Sequence, residues 1–303
     1  MTAHRYAALH RWLHGAAVLS MFVLAIVVMA GCRGSRPRPA DFSPLQNPDP
    51  LLRAGTPAEL LALLERRAPD HRTVQAQGRV TVEVEGHGGR QWFDANLLYR
   101  DPDSVRLRGS RVGPGTLFEV LATPAESWFY LRQERDLYVG TSDDLREHLG
   151  LLGSLDLKEL MSSILIAQEL RFVLTNQAQS GWRVRRDDIE FRDQRGGLQR
   201  IWTIDRHSGL VRRVELREDG RTMAFVEYDR YVLLEGPELL PDDLRVILPR
   251  EGVTARLRIS TYNLDPQLRE DVVFESRPSG ARATYPLWQL RWDGPEDAPE
   301  PES

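Results

Sequence analysis

The 303-residue sequence predicts a mainly β chain of α+β type, an open antiparallel half-barrel of about 11–12 strands with helices capping its concave face. Three observations carry this expectation. Apolar and polar residues alternate with a period of two along most of the stretch between Val74 and Thr261. Clusters of Gly, Pro and Asp interrupt the alternation at short intervals, as hairpin turns require. Midway, between Ser142 and Ala167, the apolar spacing changes to the three-and-four rhythm of helices.

Taken in chain order, Thr56-Pro57-Ala58-Glu59 is a capping box with proline at the first helical position, and Leu60, Leu61, Leu64 and Ala68 form one apolar stripe behind it. A short helix therefore opens the domain. Val74, Ala76, Gly78, Val80, Val82 and Val84 then share one strand face, with Gln75, Gln77, Arg79, Thr81, Glu83 and Glu85 on the other. Gly86-His87-Gly88-Gly89 turns the chain, and Phe93, Ala95, Leu97 and Tyr99 continue the alternation. Short strands follow at residues 105–108, 117–121, 127–131 and 137–139, divided by Gly113-Pro114-Gly115, Thr123-Pro124 and the polar run from Arg132 to Asp136.

Thr141-Ser142-Asp143-Asp144 caps a helix carrying Leu145, Leu149 and Leu152. After Ser154, the residues Leu157, Leu160, Met161, Ile164 and Leu165 place five large apolar side chains on one helical face, which needs an apolar surface to cover. Strands are then expected at residues 172–174, 182–184, 189–191, 198–204, 211–216, 223–228, 244–248 and 253–261, with hairpins at Ser208-Gly209 and Asp219-Gly220. A fully closed sheet would fill its own interior, whereas an open one needs helices over its concave face, and the central helices fit the open case. The segments 272–274 and 287–290 are too short to assign. Residues 295–303 are acidic and proline-rich, the composition of a disordered tail.

The amino terminus reads differently. Arg5 and Arg11 precede an apolar run from Ala16 to Ala30, and Gly31-Cys32 follows, the pattern of an export signal. At about 15 residues that run is short for a spanning helix. Cys32 is the single cysteine, so it has no partner for an intramolecular disulfide. Residues 33–55 carry five prolines and little periodicity, as a tether does. The expected organisation is a signal peptide at 1–31, an attachment cysteine and tether at 32–55, the half-barrel at 56–276 and an extended tail at 277–303.

With 41% hydrophobic and 28% charged residues, the chain is not disordered as a whole. Its net charge of −4 falls further once Arg5 and Arg11 are removed, so no nucleic-acid partner is expected. All basic residues but Lys158 are arginine, a bias that weakens any argument from arginine clusters.

Met29-Ala30-Gly31-Cys32 resembles a bacterial lipobox, which implies that Cys32 is acylated and becomes the first mature residue. Several acyl chains hold a protein in a bilayer where one holds marginally. Arg33, rather than an aspartate, follows the cysteine, and within the resemblance this favours the outer membrane. The order of elements from Gln77 to Leu264 resembles the LolA/LolB lipoprotein carrier and receptor superfamily, closest to LolB. Its marks are Gly78-Arg79-Val80, Val105-Arg106-Leu107-Arg108 before the Gly-Pro-Gly loop, Asp143-Asp144-Leu145, Asp219-Gly220, Tyr228-Asp229-Arg230-Tyr231 and the strands around Leu240-Pro241. The resemblance implies an open half-barrel lidded by helices, lipid acyl chains or lipidated proteins as ligands, and a periplasmic carrier protein as partner. It also implies a membrane-transfer role for the loop that holds Val112, where the family carries a protruding leucine; the alternative is a plain turn.

A lipid-binding reading needs an apolar cavity, because burial of each methylene contributes about 0.8 kcal/mol. Strand parity nominates Phe93, Leu97, Tyr99, Phe118, Val120, Trp128, Tyr130, Trp202, Ile204 and Phe225 as lining, with Leu157, Met161 and Leu165 from the helices. The alternative is that these side chains pack against one another as ordinary core. Histidines 71, 87, 148 and 207 stand in separate segments without metal-ligand spacing, no CxxC is present, and Ser110 misses the nucleophile-elbow pattern. Asp143-Asp144, Asp187-Asp188 and Asp242-Asp243 fit solvated turns or caps better than acid–base pairs, and Arg183-Val184-Arg185-Arg186 fits a solvated face better than a headgroup site. The expectation is a non-enzymatic protein with no cofactor and no metal. A scaffold lipoprotein with a packed half-barrel is the competing expectation.

Overall fold

The computed structural model describes residues 54–67, 71–100, 104–111, 115–148, 157–176, 178–195, 197–234, 239–267 and 273–290. A first helix, α1 (Pro57–Arg67), precedes six strands: β1 (Thr73–Val84), β2 (His87–Arg100), β3 (Ser104–Arg111), β4 (Gly115–Ala122), β5 (Ser127–Leu131) and β6 (Asp136–Gly140). Three helices follow, α2 (Ser142–His148), α3 (Leu157–Ile164) and α4 (Ile166–Asn176). The second set of strands is β7 (Ser180–Val184), β8 (Asp188–Arg195), β9 (Leu198–Asp205), β10 (Val211–Glu218), β11 (Arg221–Leu233), β12 (Leu239–Leu248) and β13 (Val253–Leu264). A last strand, β14 (Ala283–Pro286), runs into a single 3₁₀ turn, Leu287–Gln289.

The described strands form one 14-stranded sheet, in the order β14-β6-β5-β4-β3-β2-β1-β13-β12-β11-β10-β9-β8-β7. All neighbours are antiparallel except β14 and β6. The expected fold class, mainly β and open, is the observed one. Its topology explains the helices. β6 stands beside one edge of the sheet and β7 is the other edge, so the segment between them has to cross the mouth of the curved sheet, and α2, α3 and α4 lie in that segment. Ile166, Leu170 and Val173, spaced four and three apart, are buried, and Phe172 is turned outward. The three-residue run 172–174 is therefore helical, not a strand. Too short to reveal a period, it had suggested a strand by its composition alone.

Local chemistry fixes the helix starts. Thr56 Oγ1 accepts from Glu59 N–H (3.3 Å), and Glu59 Oε2 accepts from the N–H groups of Thr56 (3.1 Å) and Gly55 (2.7 Å). Those bonds hold the Glu59 carboxyl below its ordinary value, that of Gly55 being the largest influence. Thr141 and Asp144 make the same reciprocal pair at α2, with 3.1 Å and 2.8 Å bonds. α1 packs on α4 and plugs the β9–β10 end of the sheet: Leu60 is fully buried, Ala54 N–H donates to Arg206 O (3.0 Å), and a methyl at Gly209 would stand 2.5 Å from Leu63.

Gly78 marks a close backbone approach. At a shift in the β1–β13 register, a Cβ on Gly78 would lie 2.2 Å from Arg258 O, too close for any side chain. Gly78→Ala is expected to destabilise the domain by about 1–3 kcal/mol through forced overpacking. The measurement is a denaturant midpoint, and an unchanged midpoint would contradict the approach of the two strands.

The folded region continues past residue 276, the expected end of the domain. Phe274 is buried on the convex face of the sheet, β14 pairs with β6 at the edge, and Leu287 and Leu290 join the main core on the other side. Arg106 donates to Val273 O and Arg277 pairs with Glu126, fastening this segment to the back of the sheet. Residues 273–290 thus clip the β6 edge from both faces.

Candidate functional site

Strand parity divides the sheet into two unlike faces. The inner face carries the main core, including Val74, Ala76, Leu97, Val105, Val120, Phe129, Phe191, Trp202, Ile204, Tyr228, Leu244 and Leu257, and the helices add Met161, Ile164, Leu165, Leu170 and Val173. The outer face is ionic over much of its area. Arg256 and Arg258 share Asp243, Arg245 pairs with Asp229 and Glu227, and Arg106 and Arg108 share the buried Glu119.

Most of the nominated lining residues meet on the inner face. Leu97, Met161, Leu165 and Trp202 are buried there, and Phe93, Tyr99 and Phe118 pack against the same cluster while staying partly exposed. Val120 and Ile204 belong to it too. Three residues do not. Trp128 and Tyr130 lie on the convex face with Leu121, Leu137 and Phe274, because it is Phe129 that shares the inner face with Val120, its cross-strand partner. Alternation shows which residues share a face but not which face points inward, and both faces of β5 are covered. Phe225 is also on the outer face, under the Arg213 guanidinium at 3.9 Å from the ring centre, while its neighbours Ala224 and Val226 are buried. Cys32 and Val112 lie outside the described residues, and Leu157 is placed only as a member of α3.

Along the inner face, one contiguous band is only partly buried: Val80, Val82, Val84, Phe93, Phe118, Leu131 and Ala255, spanning β13, β1, β2, β4 and β5. Phe93 meets Phe118 edge-on at 5.2 Å between ring centres. Gly109 makes this contact possible, since a Cβ there would stand 2.3 Å from the Phe118 ring.

Toward β8 and β9, the interior is filled and held by a polar network that alternation gave no reason to expect. Arg200 donates through Nε to Asp193 Oδ2 (3.0 Å) and through Nη1 to Glu169 Oε1 (2.6 Å), and Trp202 Nε1–H donates to Asp193 Oδ1 (2.6 Å). Burial opposes the arginine's charge, but the two carboxylates more than offset it and hold Arg200 above its ordinary value. Glu169 belongs to α4, so this network ties a roof helix to the sheet. A second tie runs from His71 N–H to Gln168 Oε1 (3.4 Å), with His71 Nδ1 bonded to Asp265 (2.8 Å). Tyr228 is buried nearby, and burial pushes its hydroxyl far above the ordinary value against a smaller opposite pull from Ser163. In the sequence, Asp193 and Arg200 sat among apolar strand positions; that exception to the pattern was the available signal.

An apolar cleft between α1, α4 and the β9–β12 region is lined by Leu63, Leu64, Ile166, Leu210, Val211 and Leu239. Its free space is about 20 Å³, room for about one water molecule. Among the described residues, no three His, Cys, Asp or Glu side chains converge as a metal ion would need, and no helix is long and apolar enough to cross a membrane.

This geometry has counterparts among solved structures. A LolA superfamily protein from Nitrosomonas europaea aligns with a TM-score of 0.52 at 10% identity, over 73% of this chain and 98% of that one. The two chains share an overall fold. An outer membrane lipoprotein-sorting protein domain from Vibrio parahaemolyticus gives 0.52 at 12% identity, over 71% and 96% of the two chains. A DUF1329 family protein from Desulfovibrio piger gives 0.51 at 12% identity, over 71% and 94%. No family model and no curated protein matches the sequence. At these identities the shared property is the fold.

Proposed function

We propose that this chain is a non-enzymatic carrier-type lipoprotein of the cell envelope, which holds an acyl chain of a lipid or of a lipidated polypeptide along the inner face of its half-barrel. In its finer form the reading is LolB-like: residues 1–31 are removed, an acylated Cys32 anchors the chain in the outer membrane facing the periplasm, residues 33–55 act as tether, and the Val112 loop assists transfer. The observation that carries it is the partly exposed apolar band from Ala255 across Val80, Val82 and Phe93 to Phe118 and Leu131. A concave hydrocarbon surface of that kind, left open to water, gains free energy by accepting another hydrocarbon. Lipoprotein sorting is named for one of the similar structures, which points the same way.

Mass spectrometry of lipids extracted from the purified protein is the direct test. Stoichiometric acyl lipid beyond any covalent modification is expected, and a ligand-free protein would overturn the carrier. Palmitate labelling tests the anchor: Cys32→Ser is expected to abolish incorporation, and retained label would remove Cys32 from that role. A second reading, a scaffold whose half-barrel is fully packed, is favoured by the filled region under α3 and α4, where Met161, Ile164 and Trp202 are buried and the adjoining cleft holds about 20 Å³. Absence of lipid together with a stable fold would select it.

A further inference from the structure

Among the described residues, the strand β7 ends the sheet opposite β14, bonded to β8 on one side only. Ser180, Gly181, Arg183 and Val184 are exposed, Val184 by 42%. Successive residues of an antiparallel strand turn their N–H and C=O groups to opposite edges. Arg185 N–H donates inward to Asp188 O (2.8 Å), so Arg183 is also turned toward β8, and Val184 presents its donor and acceptor to the open edge.

The two faces of this edge differ in chemistry. Trp182 stacks on Phe191 at 5.2 Å between ring centres, on the inner face, and Val184 lies opposite the buried Ile189 on that same face. Arg183 lies opposite Glu190 on the outer face, and Ser180 opposite Arg192. Glu190 is bonded to Arg185 (3.2 Å), and among the described residues neither Arg183 nor Arg192 has an ion-pair partner. A second copy of this chain is a poor occupant, because antiparallel pairing of β7 with itself brings arginine to arginine, and like charges across strands repel.

We propose that the β7 edge accepts an added strand from a partner polypeptide in which acidic and apolar residues alternate, the acids meeting Arg183 and Arg192 and the apolar residues continuing the inner face beyond Trp182 and Val184. Main-chain bonds to Val184 supply affinity and the two faces supply selectivity, as in other strand-addition complexes. This site is separate from the acyl trough and does not depend on it.

The test uses the full chain in detergent and a fluorescein-labelled peptide of three Glu-Val repeats, with a Lys-Val peptide of equal length as comparison. Anisotropy is expected to show the acidic peptide binding at least about tenfold more tightly. Val184→Pro removes the outward donor without touching the β8 ladder and is expected to abolish binding. Arg183→Glu is expected to reverse the preference between peptides. In the unaltered protein, the peptide is expected to protect the Val184 amide from hydrogen exchange, a readout independent of how the variants fold. Equal or absent binding of the two peptides, binding that survives Val184→Pro, an unprotected Val184 amide, or Arg183-dependent affinity for short-chain phosphatidylglycerol with none for the peptide overturns the proposal.

Discussion

Arg200→Met is expected to destabilise the domain by about 3–5 kcal/mol, the cost of breaking a buried ion pair by removing one partner. The reason is Asp193, whose side chain has no solvent exposure and which would keep only the Trp202 N–H as a partner after the guanidinium is gone. Glu169, at the lid side of the same arginine, lies nearer the surface and its replacement by Gln is expected to cost less, because Arg200 and Asp193 stay together. The double variant Asp193→Leu with Arg200→Met removes both charges and is expected to recover most of the loss, as buried pairs replaced by apolar residues of similar volume often do. Guanidinium midpoints measured on the three variants check this order. A cost below about 1 kcal/mol for Arg200→Met would show that the pair is solvated, as surface pairs are. Glu169→Gln carries a further consequence for dynamics, since it loosens α4 alone; faster hydrogen exchange confined to residues 166–176 is the expected sign.

Much of the architecture was legible because a one-sided strand announces itself. Val74 to Val84 alternates without interruption, and the two helix starts are spelled out by Thr56 with Glu59 and Thr141 with Asp144. What escaped had a physical cause in each case. Residues 273–290 contain only short apolar fragments, so nothing in them announces that Phe274 and Leu287 grip opposite faces of one edge. That hidden clip is also why β5 misled: its Trp128 and Tyr130 are as apolar as Phe129, since the clip covers the back of the strand. Phe225 misled in another way, its ring being shielded by an arginine from the next strand instead of by the core. The network around Arg200 depends on β8, β9 and α4 meeting in space, and sequence spacing carries no information about that meeting.

The same division of faces sharpens the test of the trough. Val82 lies on the inner face, partly exposed and flanked by Ala255 across the β1–β13 pair, so a carboxylate placed there by Val82→Glu reaches water and costs the fold little while putting a charge in the path of any hydrocarbon. Co-purified acyl lipid is expected to fall by about tenfold, equivalent to about 1.4 kcal/mol of binding. Phe93→Glu is expected to do the same, since Phe93 forms the adjoining wall with Phe118. Trp128→Ala is the contrasting variant: Trp128 is fully buried on the convex side, so its loss is expected to cost about 3–5 kcal/mol of stability and leave the lipid content of the folded fraction unchanged. Lipid per folded protein, measured by mass spectrometry beside a denaturation curve, separates the two effects. If Val82→Glu retains its lipid and Trp128→Ala loses it, the hydrocarbon sits against the clip on the back of the sheet, and the concave band is only the weakly covered margin of a packed core.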